Sequence, residues 1–245
     1  MAARPLITLT TDFGEGSPYV AAMKARLLEG CPAAMLVDVG HAVPPFDVLS
    51  GAFVLWAGTR HFASGAVHLA VVDPGVGGRR RPVAFELAGS WYVGPDNGLF
   101  GLVLSEAGGV VPSAAVELER PGGAAPTFEG RDVFAPAAAA LACGRPQASL
   151  GSPLDAALTG LPASAPVVLW VDRFGNLVTS LRPPVAAVRI NGHDVGTVAR
   201  TFSEAPPGVP FLYVGSMGFI EVAVREARAD EALSARSGTP VAVTT

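Results

Sequence analysis

The sequence predicts an α/β domain with a mostly parallel sheet, followed by a small, mostly antiparallel, barrel-like β domain. Three observations support this prediction. Strand-like and helix-like segments alternate over the first 150 residues, which is typical of a parallel sheet covered by helices. A segment rich in Pro, Ala, Ser and Gly then interrupts this pattern. Beyond it the segments are β-like, and an Asn-Gly pair at 191–192 predicts a hairpin.

The first half begins with a short strand in PLITLTTDFG and a helix in SPYVAAMKARLLEG, which has a Ser-Pro start and a Gly end. The run AVHLAVVDPG is apolar on both faces, as buried parallel strands are. The remaining segments predict a strand in AAMLVDVG, a hairpin in RPVAFELAGSWYVGPDNG, and helices in FDVLSGAFVLWAGTRHF, LFGLVLSEAG and VFAPAAAALACG. The predicted boundaries are an α/β domain at 1–150, a linker at 151–166 and a β domain at 167–245.

Composition excludes several classes of protein. Half of the 245 residues are hydrophobic, so the chain can form a core, and the net charge of −4 argues against nucleic-acid binding. No apolar run has the length of a membrane span or a signal peptide. The two cysteines show neither zinc spacing nor a disulfide framework, and the histidines show no metal spacing. We therefore expect a cytoplasmic protein without a metal, a membrane or a nucleic acid as partner.

Acidic residues follow the first three predicted strands, where open α/β sheets bind their ligands. These are Asp12, Asp38 and Asp73. Asp38 and Asp47 are interpreted as cap or turn residues. Asp12 and Asp73 are each followed by glycine, which allows a ligand to approach the backbone. No G-x-G-x-x-G fingerprint follows the first strand and no Walker lysine is present, so a dinucleotide or nucleoside triphosphate is disfavoured.

The second half contains a candidate nucleoside site in VDRFGNLVTS. Asp172, Phe174 and Asn176 surround a glycine there. They form either a tight turn or a purine site, with a ring for stacking and an amide that both donates and accepts. The run YVGSMGFIEVAV adds Ser216 and Glu221, and a glutamate on a buried strand is expected to meet a cationic group.

Seven motifs, in order along nearly the whole chain, resemble the S-adenosyl-L-methionine hydroxide adenosyltransferases. They read TLTTDFG, VDVGHAVPPFDV, VVDPGVG, WYVGPDNGLF, GRDVFAPAAAAL, VDRFGNLVTS and SMGFIEVAV. These adenosine-forming hydrolases are related to the fluorinating and chlorinating enzymes. The resemblance implies a Rossmann-like first domain and a β-barrel-like second domain. It also implies a homotrimer whose active site lies where the first domain of one subunit meets the second domain of the next.

The resemblance also assigns roles to individual residues. Asp73 would accept a hydrogen bond from the attacking water, and Arg80 would hold that carboxylate. Asp12 would hold the ribose hydroxyls, with Phe46 beside the ribose. The adenine and the methionyl end would be bound by Phe174, Phe202, Asn176, Asp172, Ser216, Glu221 and the backbone near Met217 and Val224.

The sequence departs from the family pattern at two positions. Glu129 stands where the hydrolases have a histidine, and Ser17 stands where they usually have an aspartate. Glu129 can pair with Arg80 or Arg131. Close to Asp73 it would repel that carboxylate, so that one of the two keeps a proton and acts as a base, or the water site is impaired.

The predicted activity is hydrolysis of S-adenosyl-L-methionine to adenosine and L-methionine, by attack of water or hydroxide on ribose C5′, with no cofactor. Three other functions stay open. A non-catalytic binder of adenosine or S-adenosylmethionine would use the same nucleoside contacts. A halogenase is less consistent with the acidic residues, because a halide pocket needs hydrogen-bond donors and no nearby anion. A protein that binds another nucleotide would show no preference for S-adenosylmethionine over that nucleotide.

Overall fold

The structure is a computed structural model that describes residues 4–108, 110, 112–163 and 165–244. The chain divides into two compact units, Met1–Pro162 and Ala163–Thr245. Among the described residues, no helix is both long and apolar enough to cross a membrane.

The first unit is built on a seven-stranded mixed sheet with the strand order β2-β1-β3-β5-β4-β6-β7. Strands β2, β1, β3 and β5 are parallel, and β4, β6 and β7 pair antiparallel. The strands are β1 (Leu6–Thr11), β2 (Met35–Gly40), β3 (Val67–Val71), β4 (Pro82–Leu87), β5 (Ser90–Pro95), β6 (Ser113–Leu118) and β7 (Gly151–Pro153). The helices are α1 (Pro18–Gly30), α2 (Val48–Thr59), α3 (Gly101–Glu106) and α4 (Ala135–Ala142), and a π-helical turn, Gly130–Phe134, precedes α4.

The strand order creates a crevice beside the central strands. The chain passes from β1 through α1 to β2 on one side of β1, and then through α2 to β3 on the other side. The order therefore reverses between β1 and β3, and open α/β sheets bind ligands beyond the carboxyl ends of the strands at such a point. Asp12 and Asp73 closely follow these two strands. The topology thus brings both carboxylates to one edge of the sheet.

Helices α1 and α4 pack against each other and against one face of the sheet. Ile7 and Leu9 of β1 share a buried core with Met23 and Leu27 of α1 and with four alanines of α4, which are Ala135, Ala137, Ala138 and Ala139. The close approach of the helices needs Gly30, because a Cβ there would lie 2.8 Å from the Ala139 Cβ.

The prediction that the cysteines form no disulfide is wrong. Cys31 and Cys143 cap the C-terminal ends of α1 and α4 and are joined by a disulfide, with their Cα atoms 5.8 Å apart. Because 112 positions separate them in the chain, no local spacing could reveal the pairing. Only the packing of α1 beside α4 brings them together.

The second unit contains two antiparallel sheets, with strand orders β11-β10-β14 and β12-β13-β9-β8. Its strands are β8 (Val168–Val171), β9 (Leu177–Thr179), β10 (Ala187–Ile190), β11 (His193–Val195), β12 (Pro210–Val214), β13 (Ile220–Val224) and β14 (Ala242–Thr244), and its short helix is α5 (Ala229–Ala232). Their buried side chains form an apolar core that includes Val168, Leu177 and Val222, and a smaller cluster surrounds Phe211.

Most predicted elements are present. The hairpins β4–β5 and β10–β11 and the helices α1 to α4 lie where the sequence predicts them. The prediction of a mostly parallel sheet is correct for β2, β1, β3 and β5, whereas three antiparallel strands extend it. Strand β6 has no counterpart among the predicted elements, and β7 lies inside the segment 151–166, where it pairs with β6.

We predict that the disulfide stabilises the first unit. A crosslink that closes a loop of this length restricts the unfolded chain, and removing such a bond typically costs about 2–5 kcal/mol. The double variant Cys31→Ala/Cys143→Ala should melt more than about 5 °C below the oxidised wild type. The control is wild-type protein reduced before melting, which should resemble the variant. Identical melting temperatures for all three samples would contradict this role.

Candidate active site

The carboxylate of Asp73 is held by a bidentate ion pair with Arg80. Arg80 Nε donates to Asp73 Oδ1 at 3.0 Å and to Oδ2 at 2.9 Å, and Arg80 Nη2 donates to Oδ2 as well. The Asp73 and Arg80 side chains are only 4% and 8% exposed. A planar guanidinium that grips both carboxylate oxygens fixes their direction. The predicted pairing of these two residues is therefore present in the structure.

The glycines after Asp73 make this geometry possible. Gly77 has a φ of +73°, and a Cβ there would lie 2.5 Å from the Pro126 carbonyl oxygen. A side chain at this position would therefore strain the turn and push it away from the loop that leads to Glu129. The backbone N–H of Gly78 donates to the Gly75 carbonyl at 2.9 Å and closes the turn.

Glu129 lies on the other side of Arg80. Its Oε2 is 2.5 Å from Arg80 Nη2, and its Oε1 accepts a hydrogen bond from Arg120 Nε at 2.7 Å. Glu129 is 2% exposed. The alternative pairing of Glu129 with Arg131 is not the one adopted, because Arg131 binds Asp132 at 2.7 Å. Glu129 thus bridges two guanidiniums at the start of the π-helical turn.

Asp12 holds Phe46 in an unusual backbone conformation. Asp12 Oδ2 accepts a hydrogen bond from the Phe46 backbone N–H at 2.8 Å, and Phe46 has a φ of +68°. The Phe46 side chain is 72% exposed. Burial raises the pKa of the Asp12 carboxyl, and the charge of Asp73 raises it further, while the Phe46 hydrogen bond acts in the opposite direction. Left-handed backbone at a bulky residue is uncommon and often marks a functional site.

These groups line one cavity of about 570 Å³ in the first unit. Asp12, Phe46, Asp73 and Glu129 are among its lining residues. An aromatic cluster forms another part of the lining and consists of Phe13, Tyr19 and Phe128, with ring centroids 5.2 to 6.0 Å apart in edge-on contacts. The cavity therefore combines a carboxylate-lined region with an apolar aromatic wall.

The two aspartates interpreted as cap or turn residues have different environments. Asp47 caps α2 by accepting from the Ser50 backbone N–H at 3.0 Å, which confirms the interpretation. Asp38 instead lies in β2 and pairs with Lys24 at 2.6 Å and with His41 at 3.1 Å. Ser17, at the departure from the family pattern, caps α1 by accepting from the Tyr19 backbone N–H at 3.3 Å.

A second candidate cavity, of about 680 Å³, lies in the second unit. Its turn is fixed by Asp172, whose Oδ1 accepts from the backbone N–H groups of Phe174 and Asn176, each at 2.8 Å. Asp172 Oδ2 accepts from Asn176 Nδ2 at 2.7 Å, which orients that amide. Phe174 is 74% exposed, and the cavity is also lined by Phe202 and Val224. The predicted aromatic and amide groups thus converge on one surface.

The other predicted residues of this unit do not line that cavity. Ser216 is exposed in the turn between β12 and β13, and the Met217 carbonyl accepts from Arg182 at 3.1 Å. Glu221 meets the hydroxyl of Tyr213, which donates to Glu221 Oε2, rather than the expected cationic group. Burial raises the pKa of Glu221, and the negative charge of Asp172 raises it further, while the Tyr213 hydrogen bond opposes this shift.

Sequence reasoning missed Arg120 and the aromatic cluster. Arg120 follows the unpredicted strand β6 and reaches Glu129 across a Pro-Gly-Gly loop, and no short motif indicates such a contact. Tyr19 and Phe128 come from distant parts of the first unit's sequence. Their apolar character alone does not distinguish them from core residues.

The sequence is similar to known proteins over nearly its whole length. The family model of the SAM hydroxide adenosyltransferase N-terminal domain matches residues 7–151, and that of the C-terminal domain matches residues 167–242. A protein of Thermus thermophilus named (R)-S-adenosyl-L-methionine hydrolase is 47% identical, with the match covering 97% of this chain and 98% of that protein. A fluorinase of an Actinoplanes species is 26% identical over 98% of this chain and 97% of its own length.

A solved structure supports the same relationship. The crystal structure of a conserved hypothetical protein from Thermus thermophilus superposes with a TM-score of 0.83 at 45% identity, covering 99% of this chain and 100% of that one. Both family models match in order and together span most of the sequence. The chain therefore belongs to the SAM hydroxide adenosyltransferase family.

Proposed function

We propose that this enzyme hydrolyses S-adenosyl-L-methionine to adenosine and L-methionine. The observation that supports this most strongly is the Asp73 carboxylate, which lines a cavity at the carboxyl edge of the sheet and is gripped on both oxygens by Arg80. An ionised carboxylate offers about four acceptor sites. Because Arg80 occupies at most three of them, Asp73 can also accept a hydrogen bond from a water molecule.

The proposed reaction is a single displacement at ribose C5′. The water oxygen forms the new bond to C5′, the C5′–S bond breaks with its electrons passing to sulfur, and the water proton leaves along the hydrogen bond to Asp73. The leaving group is a sulfonium that becomes a neutral thioether, so no acid and no cofactor is needed to expel it. The enzyme contributes orientation of one water and exclusion of the others.

The remaining proposed roles are those that the family resemblance implies. Asp12 accepts hydrogen bonds from the ribose hydroxyls, and Phe46 packs beside the ribose. Phe174 and Phe202 flank the adenine and Asn176 contacts its edge. The methionyl end or the base edge is bound by Asp172, Ser216, Glu221 and the backbone at Met217 and Val224.

The family resemblance supports further proposals about assembly. We propose a homotrimer with the active site at the subunit interface. From the sequence composition we also propose a cytoplasmic location, where the Cys31–Cys143 disulfide would be an exception to the reduced state that is usual for thiols there. We also propose that the first unit is Rossmann-like and the second barrel-like. Light scattering coupled to size-exclusion chromatography tests the assembly, since a monomer of undiminished activity contradicts it.

Two other functions use the same cavity. A halogenase needs a pocket of hydrogen-bond donors that attracts a halide, whereas carboxylates of Asp12, Asp73 and Glu129 are among the groups that line this cavity. A carboxylate oxygen accepts a hydrogen bond from water and repels a halide. A non-catalytic binder of adenosine or S-adenosylmethionine would keep the nucleoside contacts and release no product.

We predict that Asp73→Asn removes most of the activity. Asparagine is a weaker acceptor and cannot take the water proton, so kcat should fall by about 100-fold or more. Affinity for adenosine should change only a few-fold. The measurement is adenosine and methionine formed from both sulfonium epimers, separated by chromatography, with reaction in isotope-labelled water to locate the new oxygen on adenosine.

Asp194→Asn is the matched control, because Asp194 pairs with Arg189 on the exposed surface of the second unit. It should retain wild-type activity. Adenosine binding by the wild type without any product would support the binder instead. Full activity of Asp73→Asn would refute the proposed role of that carboxylate.

We predict that Asp12→Asn stabilises the protein while impairing catalysis. The pKa of Asp12 is raised on folding, mainly by burial, so the folded protein holds this proton more tightly than the unfolded chain. The free energy of unfolding therefore falls as the pH rises above the ordinary value of 3.8. At pH 7 the variant should melt about 1–3 °C higher than the wild type, and this gain should vanish at a pH below that ordinary value.

The control for charge removal is again Asp194→Asn. Hydrogen bonding from Arg189 lowers the pKa of Asp194, so its replacement should not raise the melting temperature. A lower melting temperature of Asp12→Asn at neutral pH would show that the hydrogen bond to Phe46 outweighs the cost of burying the charge.

A further inference from the structure

We propose that Arg120 is a positioning residue for the reaction, which acts by balancing the charge of Glu129 and thereby leaves Arg80 free to hold Asp73. This inference rests on the proposed function. Arg120 lies beyond β6 and is not among the residues that line the cavity.

The four side chains form one continuous chain of alternating charge. Asp73 contacts Arg80, Arg80 contacts Glu129, and Glu129 contacts Arg120. Arg120 Nη2 also donates to the Arg80 backbone carbonyl at 3.1 Å. Arg120 is therefore tied both to the Glu129 side chain and to the backbone that carries Arg80.

The balance of charge explains why a fourth member is needed. Asp73, Arg80 and Glu129 are almost fully buried, and together they carry one uncompensated negative charge. A buried unpaired charge is costly, and a protein relieves it by binding a proton or by moving a side chain. The guanidinium of Arg120, 38% exposed, neutralises the cluster and is itself only partly desolvated.

Glu129 and Asp73 compete for the same guanidinium nitrogen. Arg80 Nη2 contacts both Glu129 Oε2 and Asp73 Oδ2. Because Arg120 donates to Glu129 Oε1, Glu129 competes less strongly with Asp73 for the Arg80 guanidinium. Arg80 can then keep its grip on both oxygens of Asp73, which aims that carboxylate at the cavity.

Arg131 does not supply this charge, although it lines the cavity and is close in sequence. It pairs with Asp132 and lies 4.9 Å from the centroid of the Phe128 ring. The charged groups around Glu129 are therefore Arg80 and Arg120 in direct contact, Asp73 beyond Arg80, and the Arg131–Asp132 pair. The charge of Asp12 lies beyond Asp73, and its interaction with Asp73 is repulsive.

The test is a double-mutant cycle on kcat with the full-length chain. If Arg120 acts through Glu129, R120Q should lower kcat about tenfold or more with KM changed less than about threefold. In the E129Q background the same substitution should change kcat less than about twofold, since no carboxylate is left to balance. R120K should restore part of the activity, because lysine supplies the charge without the second hydrogen bond.

The dependence of kcat on pH distinguishes this role from a merely structural one, which would leave the shape of the profile unchanged. In R120Q the acidic limb of the kcat profile should shift to higher pH, because the uncompensated cluster binds a proton more readily. The matched control is R189Q, which removes an arginine from an exposed pair with Asp194 and should leave both kcat and the profile unchanged.

The outcomes separate this inference from the proposed function. If R120Q lowers kcat equally in the wild-type and E129Q backgrounds, or lowers it in neither, the coupling is overturned. If the wild type forms no adenosine, the proposed function fails, and the same cycle is then measured on melting temperature. A fall in melting temperature on R120Q that occurs only where Glu129 is retained supports the coupling. Equal falls in the wild-type and E129Q backgrounds refute it.

Discussion

The buried ion pair between Asp73 and Arg80 is the interaction on which the rest of the site depends. Both side chains are nearly inaccessible, so water compensates their charges poorly, and removing either partner would leave a buried charge with less compensation. Three features keep this pair in place. They are the glycine turn after β3, the close approach of Gly77 to Pro126, and the contact of Arg80 with Glu129. The pair in turn leaves one face of the carboxylate available to the cavity.

The sheet topology supplies the other half of the geometry. Asp12 and Asp73 follow adjacent parallel strands, and so their carboxylates must share one edge. Burying a carboxylate there has a cost, because burial raises the pKa of Asp12 and the charge of Asp73 adds a smaller contribution in the same direction. The two carboxylates lie beside the position proposed for a cationic sulfonium, and their interaction with that cation would be favourable. Stability is therefore reduced at the place where the substrate is proposed to bind.

Local patterns sufficed for much of the fold and part of the site. Strand ends and glycines identified Asp12 and Asp73, and the turn around Gly175 identified Asp172, Phe174 and Asn176, because these features depend on neighbours in sequence. Contacts over long separations were not predictable. The Cys31–Cys143 bond depends on the packing of α1 against α4, and the partner of Glu129 depends on how the loop after β6 returns to the cavity. The expected cation beside Glu221 was replaced by Tyr213, since a hydroxyl also satisfies a partly buried carboxyl.

The most direct measurement is a crystal structure of the enzyme with a carbon analogue of S-adenosylmethionine, in which the sulfonium is replaced so that C5′ cannot be displaced. The account predicts an ordered water within hydrogen-bonding distance of Asp73. This water should lie on the side of C5′ opposite the carbon that stands in place of sulfur, and Arg80 should still bind both carboxylate oxygens. A nucleoside bound elsewhere, or an Asp73 carboxylate turned away from C5′, would contradict it.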